Sequence, residues 1–258
     1  MKVHPFFHIE TGSLTYVVSD SGLAVIIDPV LDYKDGEILS THIDEVLDFI
    51  KKKSLKLRYI LDTHIHADHL SATDYVKKKM GGKTVMSKGI HHVFSYWKDK
   101  FGLEKLAKFD FLVGDNSRLH FGTKVIEVME TPGHTPACVT YRIDDCIFVG
   151  DTLFAPDRGT SRVDFPGGSA ETLYQSIMKI YALPDNTNVY LCHDYPPIGI
   201  SPTSCTPLEW QKKRNVMLNN QVSKDEYVMM RSGRDKVLNE PRLLNIAVPY
   251  NLTFKLPT

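Results

Sequence analysis

His64-Ile65-His66-Ala67-Asp68-His69 is the most informative segment of this chain. In an extended backbone, residues i and i+2 point to the same side, so His64 and His66 can face one ion. We expect the chain to turn into a helix after them, which would carry Asp68 and His69 to a second position one metal–metal distance away. Imidazole and carboxylate groups suit zinc, iron or manganese rather than calcium or copper(I). The segment therefore predicts a transition-metal site.

Three further candidate ligands each follow a predicted strand elsewhere in the chain: His134, Asp151 and His193. Strand ends present side chains from distant parts of a sequence to one crevice. The glycine before His134, Gly133, lets the backbone approach such a site closely. We therefore expect seven ligand candidates to converge. The strands predicted before them are 57–61, 124–130, 146–149 and 189–191.

The remaining histidines have no comparable pattern around them. A single loop histidine is usually an ordinary surface residue, and none of these six has a motif that suggests another role. We therefore expect them to be surface side chains. They are His4, His8, His42, His91, His92 and His120.

The periodicity of apolar residues indicates two β-rich halves, each accompanied by helices. Ile43, Val46, Leu47 and Ile50 have the spacing of a helical stripe, and Ser71-x-x-Asp74 predicts the start of a second helix. Two such halves favour two packed sheets with helices outside. With no linker or low-complexity tract in the sequence, we expect one domain over residues 1–258, with a helical extension from about residue 205.

Composition narrows the classes of function. The chain has 258 residues, with 31 basic and 31 acidic side chains. A net charge of zero argues against a nucleic-acid partner, and no segment has the roughly 20 apolar residues of a membrane span. The four cysteines lack paired spacing, and the N-terminus lacks an apolar run of signal-peptide length. We expect a cytoplasmic protein with reduced thiols, and a homodimer is compatible with the sequence.

Four motifs together resemble the signature of the metallo-β-lactamase superfamily, in the right order along the chain. They cover about residues 7–195. The resemblance implies an α/β fold, an αββα four-layer sandwich with the metal at one edge. The motifs are Thr63–His69, Thr131–Thr135, Val149–Thr152 and Cys192–Asp194.

Within that superfamily, three segments resemble the persulfide dioxygenase branch, which is near glyoxalase II. They are His134–Tyr141, Gly159–Phe165 and His193–Tyr195. That branch uses one non-haem Fe(II) per chain and oxidises glutathione persulfide, or a similar persulfide, with O2 to sulfite and thiol. The resemblance implies that the iron ligands are His64, His134 and Asp151. It places four other side chains around them: His66, Asp68, His69 and His193.

The same resemblance suggests roles beyond the metal ligands. Asp68 and Tyr195 are the candidate catalytic side chains, and Tyr195 is also a candidate substrate contact, through a hydrogen bond near the open coordination site, or else a packed aromatic. Arg162 is a candidate for binding a glutathione carboxylate or, equally, for an ion pair with Asp164. Thr160 stands where members of the branch carry a cysteine, so it is a candidate for the thiol pocket.

Other functions remain open at this point. A hydroxyacylglutathione hydrolase of the glyoxalase II type would use all seven ligand candidates for two Zn(II) ions per chain. A β-lactam-hydrolysing enzyme is less expected without a secretory signal, and a nucleic-acid-processing enzyme is opposed by the zero net charge. A metal-free binding module is opposed by the complete ligand set.

Overall fold

The computed structural model describes residues 1–257, and β-strands make up its centre. Fifteen strands occur in these residues: β1 (Lys2–His8), β2 (Ser13–Asp20), β3 (Leu23–Ile27), β4 (Val30–Lys34), β5 (Glu37–Leu39), β6 (Lys56–Leu61), β7 (Leu70–Ser71), β8 (Lys83–Ser87), β9 (Phe111–Val113), β10 (Arg118–Phe121), β11 (Lys124–Glu130), β12 (Val139–Ile143), β13 (Cys146–Phe148), β14 (Asn188–Tyr190) and β15 (Cys205–Pro207). One six-stranded sheet has the order β1-β2-β3-β6-β8-β9, and the other has the order β10-β11-β12-β13-β14-β15. The three short strands β5, β4 and β7 form a separate small sheet.

Seven α-helices occur in the same residues: α1 (Thr41–Lys52), α2 (Thr73–Met80), α3 (Ile90–Phe101), α4 (Ala170–Tyr181), α5 (Leu208–Arg214), α6 (Lys224–Asp235) and α7 (Leu244–Thr253). The longest of them has 12 residues, whereas a helix needs about 20 apolar residues to cross a bilayer. None of the described helices could therefore span a membrane.

Both faces of β2 are buried, and they pack against different layers. Tyr16 and Val18 belong to the cluster that contains Tyr141 of the second sheet, whereas Val17 packs with the buried stripe of α1. On the other side of the second sheet, Leu173 of α4 joins the same cluster as that sheet. This order of helix, sheet, sheet and helix confirms the predicted α/β sandwich. The predicted helical stripe also forms the buried face of α1.

The sequence pattern does not predict β1, β4, β5 or β15. β1 contains Pro5, which cannot donate a backbone hydrogen bond and which argues against a central strand. In the structure β1 pairs only with β2 and forms the edge of its sheet, where a proline is tolerated. The chain after Cys205 is likewise not purely helical, because β15 extends the second sheet before α5 begins.

The predicted helix start at Ser71 is wrong. Ser71 lies in β7, and α2 begins at Thr73. The buried carboxylate of Asp62 explains the difference, because it accepts hydrogen bonds from the hydroxyl groups of Ser71 at 2.8 Å and Thr73 at 2.7 Å. The Ser71 hydroxyl thus bonds both the end of β6 and the first turn of α2, where it accepts the backbone N–H of Thr73 at 3.2 Å, but Ser71 itself lies outside the helix.

Helix α6 holds the loop at residues 160–163 from the C-terminal part of the chain. The buried Arg231 guanidinium donates to the Thr160 carbonyl at 2.9 Å and to Asp235 at 2.5 Å. The other oxygen of Asp235 accepts the backbone N–H of Val163 at 2.9 Å. A buried ion pair fixes a loop firmly, because breaking it leaves a buried charge.

Asp20 joins the two sheets at their edge. Its carboxylate, at the end of β2, accepts the backbone N–H of Thr123 at 2.9 Å and the Thr123 hydroxyl at 2.8 Å, in the turn between β10 and β11. These bonds lower the pKa of Asp20 to about 2. A carboxyl whose folded-state pKa is lowered stabilises the fold above its unfolded pKa, and the stabilisation disappears as the pH falls through the folded value.

We expect Asp20→Asn to lower the free energy of unfolding by about 1.5 kcal/mol at pH 7, the lower end of the range for hydrogen bonds to a charged group, because the site is partly exposed. The difference in the free energy of unfolding between the variant and the wild type should decrease as the pH falls from 4 towards 2, as measured by urea unfolding. Asp157→Asn is the control, since Asp157 is exposed and contacts only Arg158 at 3.7 Å. A difference that is independent of pH would contradict this role for Asp20.

Candidate metal centre

Two histidines and one aspartate converge from both sheets. His64 lies in the loop after β6, His134 follows β11, and Asp151 lies in a 3-10 turn after β13. Their ligand atoms all lie within 4.8 Å of one another. Oδ2 of Asp151 is 3.8 Å from Nε2 of His64 and 3.7 Å from Nε2 of His134. We call these three residues the first cluster.

A second cluster adjoins the first and contains His66, Asp68, His69 and His193. Nε2 of His193 is 3.5 Å from Oδ2 of Asp68 and 3.4 Å from Oδ1 of Asp151. The two oxygens of Asp151 therefore face different clusters. All seven side chains that the sequence suggested as ligands are thus brought together in the structure.

The segment that carries Asp68 and His69 is a loop, so the predicted helix at this point is wrong. Asn251, in α7, fixes the loop: its amide nitrogen donates to the carbonyls of His66 at 2.8 Å and His69 at 2.9 Å. Its amide oxygen accepts the N–H of Ser71 at 2.7 Å. These bonds satisfy loop carbonyls that a helix would have paired internally. No local motif marks Asn251 in the sequence.

Each histidine of the first cluster is oriented through its other ring nitrogen. Nδ1 of His134 is 2.7 Å from the Arg162 carbonyl, which can only accept, so Nδ1 carries the proton. Nδ1 of His64 is 3.0 Å from the Thr63 hydroxyl, which itself donates to Asp28 at 2.9 Å. In these tautomers, Nε2 of each ring carries a free lone pair that points into the cluster. Such outer partners are typical of metal-binding histidines.

Ser13 has the same role for the second cluster. Its hydroxyl lies 3.1 Å from Nδ1 of His69 and 3.4 Å from Nδ1 of His193. Ser13 opens β2 and forms an isolated bridge with His193, so this contact also connects the two sheets. His66 is held by a carboxylate rather than by the Ser13 hydroxyl: its Nε2 lies 3.2 Å from the carboxylate of Asp28.

Burial sets the protonation of the clusters. It lowers the pKa of His64 and His66 well below the ordinary histidine value, and neighbouring histidines act in the same direction. Both rings are therefore neutral, as a metal ligand must be. Burial opposes the ionisation of Asp68, but the charges of His193 and His69 outweigh it and lower the pKa of Asp68 well below its usual range.

The donor atoms themselves indicate a metal. Leaving a buried polar atom without a partner costs about 1 to 3 kcal/mol, so such atoms are rare in proteins. Nine occur in residues 1–257, and six of them are ligand atoms of the two clusters. A cation would satisfy these atoms at once, and their nitrogen and carboxylate chemistry fits a transition metal. The clusters are a metal-binding site.

A cavity of about 350 Å³ opens onto the clusters, a size suited to a small molecule. Arg162 lines it, but its guanidinium makes two 2.6 Å bonds to Asp164 and a 2.8 Å bond to the Asn239 carbonyl. This geometry favours the ion pair over a substrate carboxylate. The exposed Arg242, which the sequence did not single out, lines the same cavity and forms no ion pair among the described residues.

The other two substrate candidates lie at different depths. Tyr195 is exposed, lines the cavity and stacks on the ring of His193 with the centroids 6.0 Å apart. Thr160 is buried, and its hydroxyl is 2.9 Å from the Tyr227 hydroxyl. It lines a smaller cavity of about 260 Å³ that shares Tyr195 and His193 with the first.

Comparison with known proteins identifies a matching family and several similar proteins. The family model for the metallo-beta-lactamase superfamily matches residues 9–193. The chain is 40% identical to Glyoxylase B2 of Dictyostelium discoideum over 261 residues, which cover 98% of this chain and 89% of that protein. It is 33% identical to the mitochondrial persulfide dioxygenase ETHE1 of Mus musculus over 252 residues, covering 95% and 85%. Among solved structures, ETHE1 from Myxococcus xanthus aligns with a TM-score of 0.80 and 29% identity, covering 97% of this chain and 98% of that one.

The contacts of Thr63 give a direct test of the centre. Thr63→Val removes the hydroxyl that orients His64, and we expect roughly 10- to 100-fold weaker metal binding, as for other outer partners of ligands. Competition with a chromophoric chelator would measure it. Thr140→Val is a matched control, since this buried hydroxyl contacts only Thr131. Equal affinity in both variants would show that Thr63 does not orient a ligand.

Proposed function

This chain belongs to the metallo-beta-lactamase superfamily, and we propose that it is a persulfide dioxygenase that works with one iron(II) bound by His64, His134 and Asp151. The observation that carries the proposal is the first cluster itself. Two imidazoles and one carboxylate on one side of a metal, with a cavity on the other, are the ligand pattern of non-haem iron oxygenases. The similarity to persulfide dioxygenases along nearly the whole chain supports the same reading.

The imidazoles of His64 and His134 and the carboxylate of Asp151 would hold the iron, and the outer hydrogen bonds of the two histidines would keep that geometry rigid. Bound iron(II) supplies open coordination positions and an electron for O2, which zinc cannot supply. The chain's other residues then have to bind the persulfide, exclude bulk water and move protons.

The overall reaction balances as persulfide plus O2 plus water giving thiol plus sulfurous acid. The outer sulfur loses four electrons, O2 gains four, and the acid releases protons near pH 7. The carboxylate of Asp68, ionised and open to the cavity, is placed to accept the proton of that water. His193, whose Nε2 is 3.5 Å from Oδ2 of Asp68, is placed to hold that carboxylate in position. The protonated hydroxyl of Tyr195 is placed to donate to the substrate.

Protein thiols do not compete with the substrate sulfur. All four cysteines are free, and burial raises the pKa of Cys138 and of Cys146 to about 12. Protonated thiols are poor nucleophiles at neutral pH. The reactive sulfur is therefore that of the bound substrate.

A hydrolase is the second candidate, and one observation favours it. The two oxygens of Asp151 face different clusters, as they would if this carboxylate bridged two metals. The 40% identity to a protein named Glyoxylase B2 points the same way. A thioesterase would use such a pair to generate hydroxide at neutral pH.

One experiment separates the two activities. We expect anaerobically purified protein to carry one iron per chain and, with glutathione persulfide, to consume one O2 for each sulfite released. Replacing iron by zinc should abolish O2 uptake. Two metals per chain, with thioester hydrolysis in the absence of O2 and no oxygen uptake, would contradict the dioxygenase proposal.

Variants assign the iron. His64→Ala should lose bound iron and O2 uptake together while keeping the melting temperature of metal-free wild type, because the two sheets provide most of the stability. His120→Ala, at an exposed position of β10, should retain both iron and activity. Wild-type iron content in His64→Ala would remove this residue from the centre.

Among the described residues that line the larger cavity, Arg242 is the cation without an ion pair, so we expect it to bind an anionic substrate. We expect Arg242→Leu to raise the KM for glutathione persulfide about tenfold with little change in kcat, because one charge-assisted bond to a carboxylate is lost. A persulfide without carboxylates should show no such change. Arg118→Leu is the control, since Arg118 pairs with Glu127 on β11. An unchanged KM would exclude Arg242 from substrate binding.

A further inference from the structure

His8 is not the surface residue that the sequence predicts. Its side chain is 3% exposed, at the end of β1, and it lies in neither cluster of the metal centre. Two carboxylates, those of Glu10 and Asp32, face the same ring nitrogen. His42 lies beside them, with its ring centroid 4.9 Å from that of His8.

We propose that His8, Glu10 and Asp32 form an accessory site for a divalent transition metal of the zinc type, separate from the metal centre. Nε2 of His8 is 3.1 Å from Oδ1 of Asp32 and 3.3 Å from Oε2 of Glu10. In a tetrahedral zinc site with bonds of 2.0–2.1 Å, ligand atoms are about 3.3 Å apart. The separations of the two oxygens from the nitrogen are thus those that one ion requires, and all three atoms lie within 4.8 Å of one another.

The other polar atoms of two of these ligands are held by the protein, so Nε2 of His8 and Oδ1 of Asp32 are directed at each other; an ion between them would replace their 3.1 Å hydrogen bond. Nδ1 of His8 lies 2.7 Å from the hydroxyl of Thr11. The second oxygen of Asp32 accepts the backbone N–H of His42 at 3.0 Å. This division, one atom fixed by the protein and one left for the ion, is the same as for His64 and His134 in the metal centre.

His42 supplies an independent observation. Nε2 of its ring is buried and has no partner among residues 1–257. Three protein ligands leave a fourth position for water on zinc, and a water bound there would give Nε2 its partner.

Charge favours the same conclusion. Glu10 and Asp32 bring two carboxylates to one buried nitrogen, and no lysine or arginine forms an ion pair with either of them in the described residues. A divalent cation would neutralise both. Glu10 is exposed and also borders the large cavity, so the site is open to metal from solution.

The test is zinc binding to protein whose metal centre is already loaded, measured by equilibrium dialysis with elemental analysis. We expect the wild type to take up one further zinc per chain. Glu10→Gln, at an exposed position that should not disturb folding, should weaken this binding by more than tenfold. Thr11→Val keeps all three ligands but removes the hydroxyl beside His8, and it should weaken zinc binding about tenfold; because this hydroxyl also lies 2.8 Å from that of Ser13, the metal content of the loaded centre is measured in the same variant. Glu37→Gln, an exposed change in β5, should have no effect.

Asp68→Asn distinguishes this site from the second cluster of the metal centre. The additional zinc should persist in Asp68→Asn and be lost in Glu10→Gln. The reverse pattern would assign the additional ion to the metal centre and overturn the proposal. Absence of any additional zinc in the wild type at micromolar concentrations would overturn it as well. Neither measurement depends on the reaction that the metal centre catalyses.

Discussion

The buried carboxylate of Asp28 is the group on which the geometry of the metal centre depends. It follows β3 and accepts hydrogen bonds from the backbone N–H and hydroxyl of Thr63, while its oxygens also lie near His66 and the thiol of Cys192. One side chain therefore links the ends of β3 and β6 with a segment of the second sheet. Burial raises its pKa, and the hydrogen bonds of Thr63 and nearby histidines oppose that rise. A buried carboxylate is tolerated here because its oxygens have these partners.

Much of the fold and of the ligand set could be predicted from the sequence because both leave local signals. The buried stripe of α1 appears as a helical period, and the close spacing of His64 and His66 follows from an extended backbone. His134 and Asp151 could be found because each comes directly after a recognisable strand. What these residues share is that their neighbours in sequence determine their position.

The features that the sequence does not reveal depend on distant contacts or on backbone atoms. Asn251 fixes the loop of the ligands from almost two hundred residues away, and the group that orients His134 is the carbonyl of Arg162, which any residue type could provide. The burial of His8 follows from the pairing of β1 with β2. The sequence does not predict this edge strand because it contains a proline. Arg162 was ambiguous for a related reason, because only the position of Asp164 in space shows where its charge is used.

The clamp between α6 and the loop at residues 160–163 has a consequence for the order of events during synthesis. His64 leaves the ribosome long before Asp151, and the carbonyl that orients His134 is fixed only once Arg231 and Asp235 have been made. The nascent chain thus carries an exposed His-rich segment without a finished coordination geometry. The geometry that selects the correct ion therefore exists only in the completed polypeptide. This order reduces the chance that a wrong metal is bound during synthesis.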